Sequence, residues 1–221
     1  MNGMKKIALM VVMAVCCAFV NTPAWGQKLE LLVNDGVNFS TLVGLKDVET
    51  KTGIYSELGV GYKFNDRLGL EVDIAFSEQG AMSVVDGSSY LYDFSYLNIP
   101  LLATYTLPKQ HLTFLAGVQA GQFVSATYSY QAPSVVGEGF VSGEGKFDKS
   151  EFHPWDVGFS VGARWVVIPS WGFGLEVRYT LGITQTHNGI SDSMSSNPYI
   201  SVPDNRNSVL RVGMSWALWG K

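Results

Sequence analysis

The chain is poor in charge and, beyond its first 17 residues, has no cysteine. Only 15% of its 221 residues are Asp, Glu, Lys or Arg, against roughly 25% in an ordinary soluble domain. Both cysteines are Cys16 and Cys17, so the remainder can form no disulfide, thiolate metal site or thiol nucleophile. After the first 25 residues there is no apolar run of about 18, which excludes helical membrane spans there. No basic tract occurs and the net charge is -4, a poor basis for binding nucleic acid. Gly-rich phosphate loops, zinc-ligand spacings and fixed-length repeats are also missing. No cofactor or metal is expected.

What is abundant points to strands. The chain is 47% hydrophobic and 13% aromatic, with 24 glycines, a composition suited to a strand-and-turn protein of one domain. The first 26 residues read as a signal peptide: Lys5 and Lys6, an apolar core from Ile7 to Val20, then Ala24-Trp25-Gly26 as a small-x-small cleavage site. A retained anchoring helix fits less well, because the core is short and ends at Asn21-Thr22-Pro23. Lipidation at Cys16 is disfavoured by Val15, since a small residue belongs there. Cleavage leaves residues 27–221 with 13 basic and 19 acidic residues, a net charge of -6.

In this region no helical period survives, and eight segments alternate apolar and polar residues with period two. In 68–76, Leu68, Leu70, Val72, Ile74 and Phe76 face one way, and Gly69, Glu71, Asp73 and Ala75 the other. Residues 173–183 repeat the pattern. The others are 29–41, 54–64, 96–107, 112–128, 157–167 and 208–219. Turns after the second, fourth and sixth segments are tight: Asn65-Asp66-Arg67, 108–111 and 168–171. The remaining connections, 43–52, 79–95, 131–156 and 184–207, are long and polar, and the Gly-rich 131–151 stretch reads as flexible surface.

An even strand number, with short turns on one rim and long loops on the other, is the layout of an outer-membrane barrel. The expected fold is all-β, an eight-stranded antiparallel up-and-down transmembrane β-barrel with both termini on the periplasmic rim. A soluble up-and-down barrel would share the alternation. Here, however, the apolar face is the bulky one and the other is Gly-rich with mid-strand charges, which suits a narrow lumen. Aromatic girdles are expected at the short-turn rim (Tyr62, Phe64, Tyr105, Trp165, Trp171, Trp216, Trp219) and the long-loop rim (Phe39, Phe76, Phe94, Tyr128, Trp155).

Several segments match a known pattern in order and spacing. They are Gly36-Val37-Asn38-Phe39-Ser40, Leu58-Gly59-Val60-Gly61-Tyr62, Tyr96-Leu97-Asn98-Ile99-Pro100-Leu101-Leu102, Leu115-Ala116-Gly117 and Glu176-Val177-Arg178-Tyr179-Thr180-Leu181-Gly182. In these the chain resembles the PorT-like outer-membrane β-barrel family of Bacteroidetes. The resemblance implies a fold and a location in the outer membrane more than an activity. Gly220 and Lys221 after Trp219 depart from the usual aromatic C-terminus.

The inward face is expected to carry Glu57, Glu71, Asp73 and Glu176 with Lys63, Arg164, Arg178 and Arg211. Eight strands leave an interior that side chains can fill, and buried ions need partners. The structural reading is a salt-bridged plug; the functional alternative is a narrow, gated, ion-lined channel. Proline in Asn98-Ile99-Pro100 implies a bulge or a local break in pairing. His153 with Asp156, or His187 with Ser191 and Asp192, would supply residue types for a lipid-modifying enzyme, but no supporting motif spacing accompanies them. Catalytic residues are therefore not expected. The expected role is structural or interactive, through long extracellular loops; a narrow pore or small-ligand transporter is the alternative. Expected partners are outer-membrane lipid, the outer-membrane assembly machinery and an unspecified extracellular or envelope protein, with the chain monomeric.

Overall fold

In a computed structural model of the chain, residues 28–43, 48–85, 87–134, 139–186 and 206–219 are described. The expected signal peptide, His187, Ser191, Asp192, Gly220 and Lys221 lie outside them. Nine strands are present among the described residues: β1 (Lys28–Val43), β2 (Val48–Lys63), β3 (Leu68–Val85), β4 (Ser88–Leu107), β5 (Leu112–Pro133), β6 (Phe140–Lys146), β7 (Trp155–Ile168), β8 (Phe173–Gly182) and β9 (Arg206–Trp219).

Eight of them form a closed antiparallel barrel in the order β4-β3-β2-β1-β9-β8-β7-β5, and β4–β5 pairing joins the two ends. β1 meets β9 along most of its length, from Leu31↔Trp219 to Val43↔Arg206. All eight alternating segments are therefore barrel strands. Closure leaves none of these eight with an open edge through the barrel wall, as a membrane interior requires.

The tight turns form where expected, each for a local reason. Asn65 Oδ1 accepts the backbone N–H groups of Arg67 and Leu68 at 2.9 and 2.8 Å. Pro108–Gln110 makes one 3-10 turn, ended by His111 in the left-handed region at φ 54°. Gly172 closes the third turn at φ 70°, where an added Cβ would lie 2.6 Å from the Ala217 carbonyl oxygen.

The opposite rim differs from the sequence expectation. The 79–95 stretch is not a long loop but a tight hairpin, with β3 running to Val85 and β4 restarting at Ser88. Aromatic residues recur at every second position in its last part, Tyr90, Tyr92 and Phe94, and the ladder continues through Gly80↔Asp93 and Met82↔Leu91. Likewise β2 begins at Val48, inside the expected 43–52 loop. The 131–151 stretch contains β6 and a 3-10 turn at Lys149–Glu151. Strands of 16–22 residues in β1–β5 exceed the roughly 9–11 that cross a bilayer. The excess on β2–β5 stands above the long-loop rim.

The barrel exterior is apolar: Ile54, Leu58, Ile74, Phe114, Phe159, Val161, Met214 and Leu218 are each about half exposed. Phe64, Tyr105, Trp165, Trp171 and Trp216 are exposed at the short-turn rim, and Phe39, Phe76 and Trp155 at the other. Phe94 departs from the expected girdle: it is 4% exposed and points into the barrel. β4 extends past it, and its parity is that of the inward residues Tyr96 and Asn98. Pro100 produces a break, not a bulge. β3–β4 pairing stops at Val72↔Leu101 and resumes in the same register at Ala75↔Asn98.

Close packing seals the barrel at β1. Gly36 faces Tyr55 on β2 and Gly213 on β9, and the Tyr55 ring lies over both glycines. A Cβ on Gly213 would lie 2.3 Å from the Asp35 carbonyl oxygen and 2.4 Å from Tyr55 Oη. Gly213→Ala should therefore destabilise the barrel by about 1–3 kcal/mol, the usual range for overpacking. Urea unfolding in detergent should show it as a lowered midpoint.

Candidate functional site: the barrel interior

Strand alternation sends every second side chain of eight strands into a space walled by the barrel. Two packed layers and a cavity occupy it. The middle layer is ionic and rests on mid-strand residues of β2, β3, β7, β8 and β9.

Arg164 forks onto Glu71, donating from Nη1 to Oε2 at 2.9 Å and from Nη2 to Oε1 at 2.6 Å. Its Nε donates to Glu176 Oε2 at 2.8 Å. Arg178 makes a second fork onto Glu57, at 3.0 and 2.9 Å. It also pairs with Glu176, and its Nη1 lies 3.6 Å from Asp73 Oδ2. Arg211 donates to Glu57 Oε2 at 3.3 Å and lies over the Tyr55 ring, 5.3 Å from its centroid. Asn34 Nδ2 donates to Glu57 Oε1 at 2.8 Å. These groups are all buried, with Arg178 and Asp73 at 0% exposure. Planar guanidinium forks match carboxylates in two bonds at once, which suits a space where unpaired charge is costly.

Seven of the eight expected interior charges thus meet in one cluster. Lys63 does not. It points inward but sits at the short-turn rim, where it pairs with Glu30, with the two side chains 33% and 17% exposed. The cause is its place at the last residue of β2, level with Lys28 on β1. Four acids therefore meet three guanidiniums. The sequence reading missed Glu30, and also Lys51, which is buried and pairs with Asp93 at 3.0 Å. The signal was available for Lys51: Lys51, Gly53, Tyr55 and Glu57 continue one parity.

Above the ions, toward the long-loop rim, the lumen is aromatic. Leu42, Ala81, Phe94, Tyr96, Phe123, Ala126 and Phe152 form one buried cluster, with Val48, Tyr92 and Phe147 against it. The Phe123 and Phe152 rings stack at 4.7 Å and 8°, and Tyr96 meets Phe123 edge-on at 5.6 Å. Phe147 and Phe152 come from the connection between β6 and β7. That connection is held by Asp148, whose Oδ1 accepts both the backbone N–H and the hydroxyl of Ser150 at 2.9 Å. These two bonds hold the Asp148 carboxyl below the ordinary carboxylate range.

Below the ions, toward the short-turn rim, lies a cavity of about 580 Å³ lined by Glu30, Lys63, Thr104, Thr106, His111 and Thr113 among others, with Glu71 and Arg164 at its inner end. The lumen is blocked at one end and open at the other.

Of the two candidate groupings only His153 with Asp156 lies among the described residues, and there the two are engaged elsewhere. Asp156 is engaged by Thr184 Oγ1 at 2.7 Å and Asn207 Nδ2 at 2.8 Å, while the His153 backbone N–H donates to the Thr186 carbonyl at 3.1 Å. Glu57, Glu71 and Asp73 come within ion-ligating distance of one another, but the forks of Arg164 and Arg178 already occupy the two glutamates. That arrangement does not fit a metal ion.

A closed antiparallel barrel with an apolar outside, aromatic rims and charged interior defines a small integral outer-membrane β-barrel. The chain belongs to the family described as outer membrane protein beta-barrel domain, whose model matches residues 25–188. No curated protein matches it. Among solved structures it is similar to Ail, the attachment invasion locus protein of Yersinia pestis, at 12% identity and a TM-score of 0.46, covering 87% of this chain and 99% of that one. It is also similar to Acinetobacter baumannii CarO, at 12% identity and TM-score 0.47, covering 84% and 97%. A third is Neisserial surface protein A, at 14% identity and TM-score 0.40, covering 89% and 99%.

Proposed function

We propose that this is a non-conducting outer-membrane barrel with a structural or interaction role, played through the β-structure above its long-loop rim. The observation that supports it is the obstructed mid-lumen: seven buried charges in mid-barrel, capped by stacked phenylalanines. In this reading residues 1–26 are a cleaved signal peptide, the assembly machinery inserts the barrel as a monomer, and both termini face the periplasm. The long-loop rim then faces outside. The fold is shared with the PorT-like proteins it resembles, and no enzymatic step is assigned.

The cavity of about 580 Å³ at the short-turn rim favours a second reading, a narrow pore or small-ligand transporter entered from the periplasm. Planar-bilayer recording separates the two. Purified protein should insert and show no steady current at moderate voltage. Steady single-channel steps would sink the plug reading in favour of the pore.

A further inference from the structure

β6 is unlike the eight barrel strands because, among the described residues, β5 is its single neighbour. Its backbone hydrogen-bond parity follows from two bonds at its ends. The Ser134 N–H donates to the Gly139 carbonyl at 2.9 Å, and the Phe147 N–H to the Ala126 carbonyl at 3.1 Å. Both lie in the β5–β6 register of Tyr130↔Gly143. Hydrogen-bonded and non-bonded pairs alternate in an antiparallel ladder, so Val141, Gly143 and Gly145 bond to β5. Phe140, Ser142, Glu144 and Lys146 turn their N–H and C=O groups outward, away from β5.

Sheet edges in proteins are ordinarily guarded by proline, bulges, a covering segment, short length or charged side chains, and of these β6 has its 7-residue length, Glu144 and Lys146. β6 has no proline, and its pairing with β5 runs without a register shift. Its start is apolar and open, with Phe140 64% and Val141 52% exposed. On the face of Gly143 and Gly145, the rings of Tyr130 and Tyr128 lie flat against the strand, within 2.6 and 2.5 Å of where a Cβ would sit. Glu144 and Lys146 share the other face, offering an acid and a base two positions apart.

We propose that this edge docks an extended peptide segment of an extracellular protein, added as an antiparallel strand against Phe140, Ser142, Glu144 and Lys146. Main-chain pairing supplies the attachment, as in other strand additions, and alternate side chains supply selectivity. The preferred segment places an acid opposite Lys146 and a base opposite Glu144. A second copy in the same membrane fits poorly: its β6 would run in the same direction relative to the bilayer and could meet this one only in parallel. The inference rests on the long-loop rim facing outside, but the edge itself is testable without that assumption.

Amide exchange in nanodiscs, which expose both rims, is the direct test. The probe is a synthetic peptide of about eight residues, alternating Val and Thr and carrying Glu then Lys two positions apart. The Ser142, Glu144 and Lys146 amides should exchange fast in the free protein and slow by about tenfold or more with peptide, a shift equal to about 1.4 kcal/mol. Ser142→Pro removes an outward N–H without touching the β5 ladder. It should abolish peptide binding while the Gly143 and Gly145 amides stay protected. The same peptide N-methylated on its edge-facing amides should fail to bind wild-type protein, a control independent of any variant's folding. Protection of Ser142 and Glu144 in the free protein would show the edge already covered, by this chain or by a second copy, and would overturn the proposal. So would binding that survives Ser142→Pro or N-methylation. Surface labelling of the β6 segment on intact cells reports separately on which side the rim faces.

Discussion

Replacing Arg178 with Met is expected to cost the barrel about 3–5 kcal/mol, the range seen when one partner of a buried ion pair is removed. Arg178 is 0% exposed and serves Glu57 with a fork, Glu176 with a second contact, and Asp73 at 3.6 Å. After its loss Glu57 keeps Arg211 and Asn34, and Glu176 keeps Arg164. Asp73 keeps no cation within 4.0 Å among the described residues. With all carboxylates ionised, the cluster moves from three cations against four anions to two against four. Water cannot reach these groups freely, so the loss is not screened as it would be at a surface.

Arg178→Lys should recover only part of the stability, because an ammonium cannot fork onto Glu57. Lys63→Ala is the contrast: its pair with Glu30 is partly exposed at the rim, and such pairs contribute about 0–1 kcal/mol. Urea unfolding in detergent, followed by the gel mobility of unheated samples, would rank the three variants. Equal midpoints for Arg178→Met and Lys63→Ala would refute a cluster that holds the barrel together.

Phe123→Ala is expected to act as strongly in energy but more locally. Removing a buried phenylalanine costs about 3–5 kcal/mol, and here the ring packs on Phe152 and Tyr96. Phe152 belongs to the connection above the barrel, not to its wall, so its release frees that connection without opening the ladder. The 139–154 segment should become readily cut by protease in reconstituted vesicles. The barrel itself should still migrate as a folded species before heating. No steady conductance should appear, since the ionic layer beneath remains in place. Current through Phe123→Ala would instead make the aromatic cluster the gate and the ionic layer permeable.

Which features are legible in the sequence follows from the range over which each is encoded. Alternation at 68–76 and 173–183 is set by the geometry of a single strand, so neighbouring residues alone place Glu71, Asp73, Glu176 and Arg178 inward. Tight turns such as Asn65-Asp66-Arg67 are equally local, because Asn65 satisfies the turn's own N–H groups. The hairpin across 79–95 is hidden because Gly80, Gly87 and the serines around them read as loop residues. Position 80 lies inside a strand at φ 141°, and the Tyr92 carbonyl oxygen on β4 is 2.0 Å from where a Cβ would sit. Glycine there serves the β3–β4 ladder, although in sequence it reads as loop. Phe94 resembles a girdle residue for the same reason, since nothing local shows that β4 runs past it.

By itself, then, the sequence determined the eight barrel strands, most of their inward and outward faces, the short-turn rim and most of the interior charges. These depend on period-two alternation and turn chemistry, which act over a few residues. Only the tertiary structure decided that Arg164 joins Glu71 across 93 positions and Arg178 joins Glu57 across 121. It also decided that Lys63 stays at the rim with Glu30, that Phe123 stacks on Phe152, and that β6 stands with one edge open. Each depends on which strands become neighbours when the barrel closes and at what height their residues then lie, and no single strand carries that information.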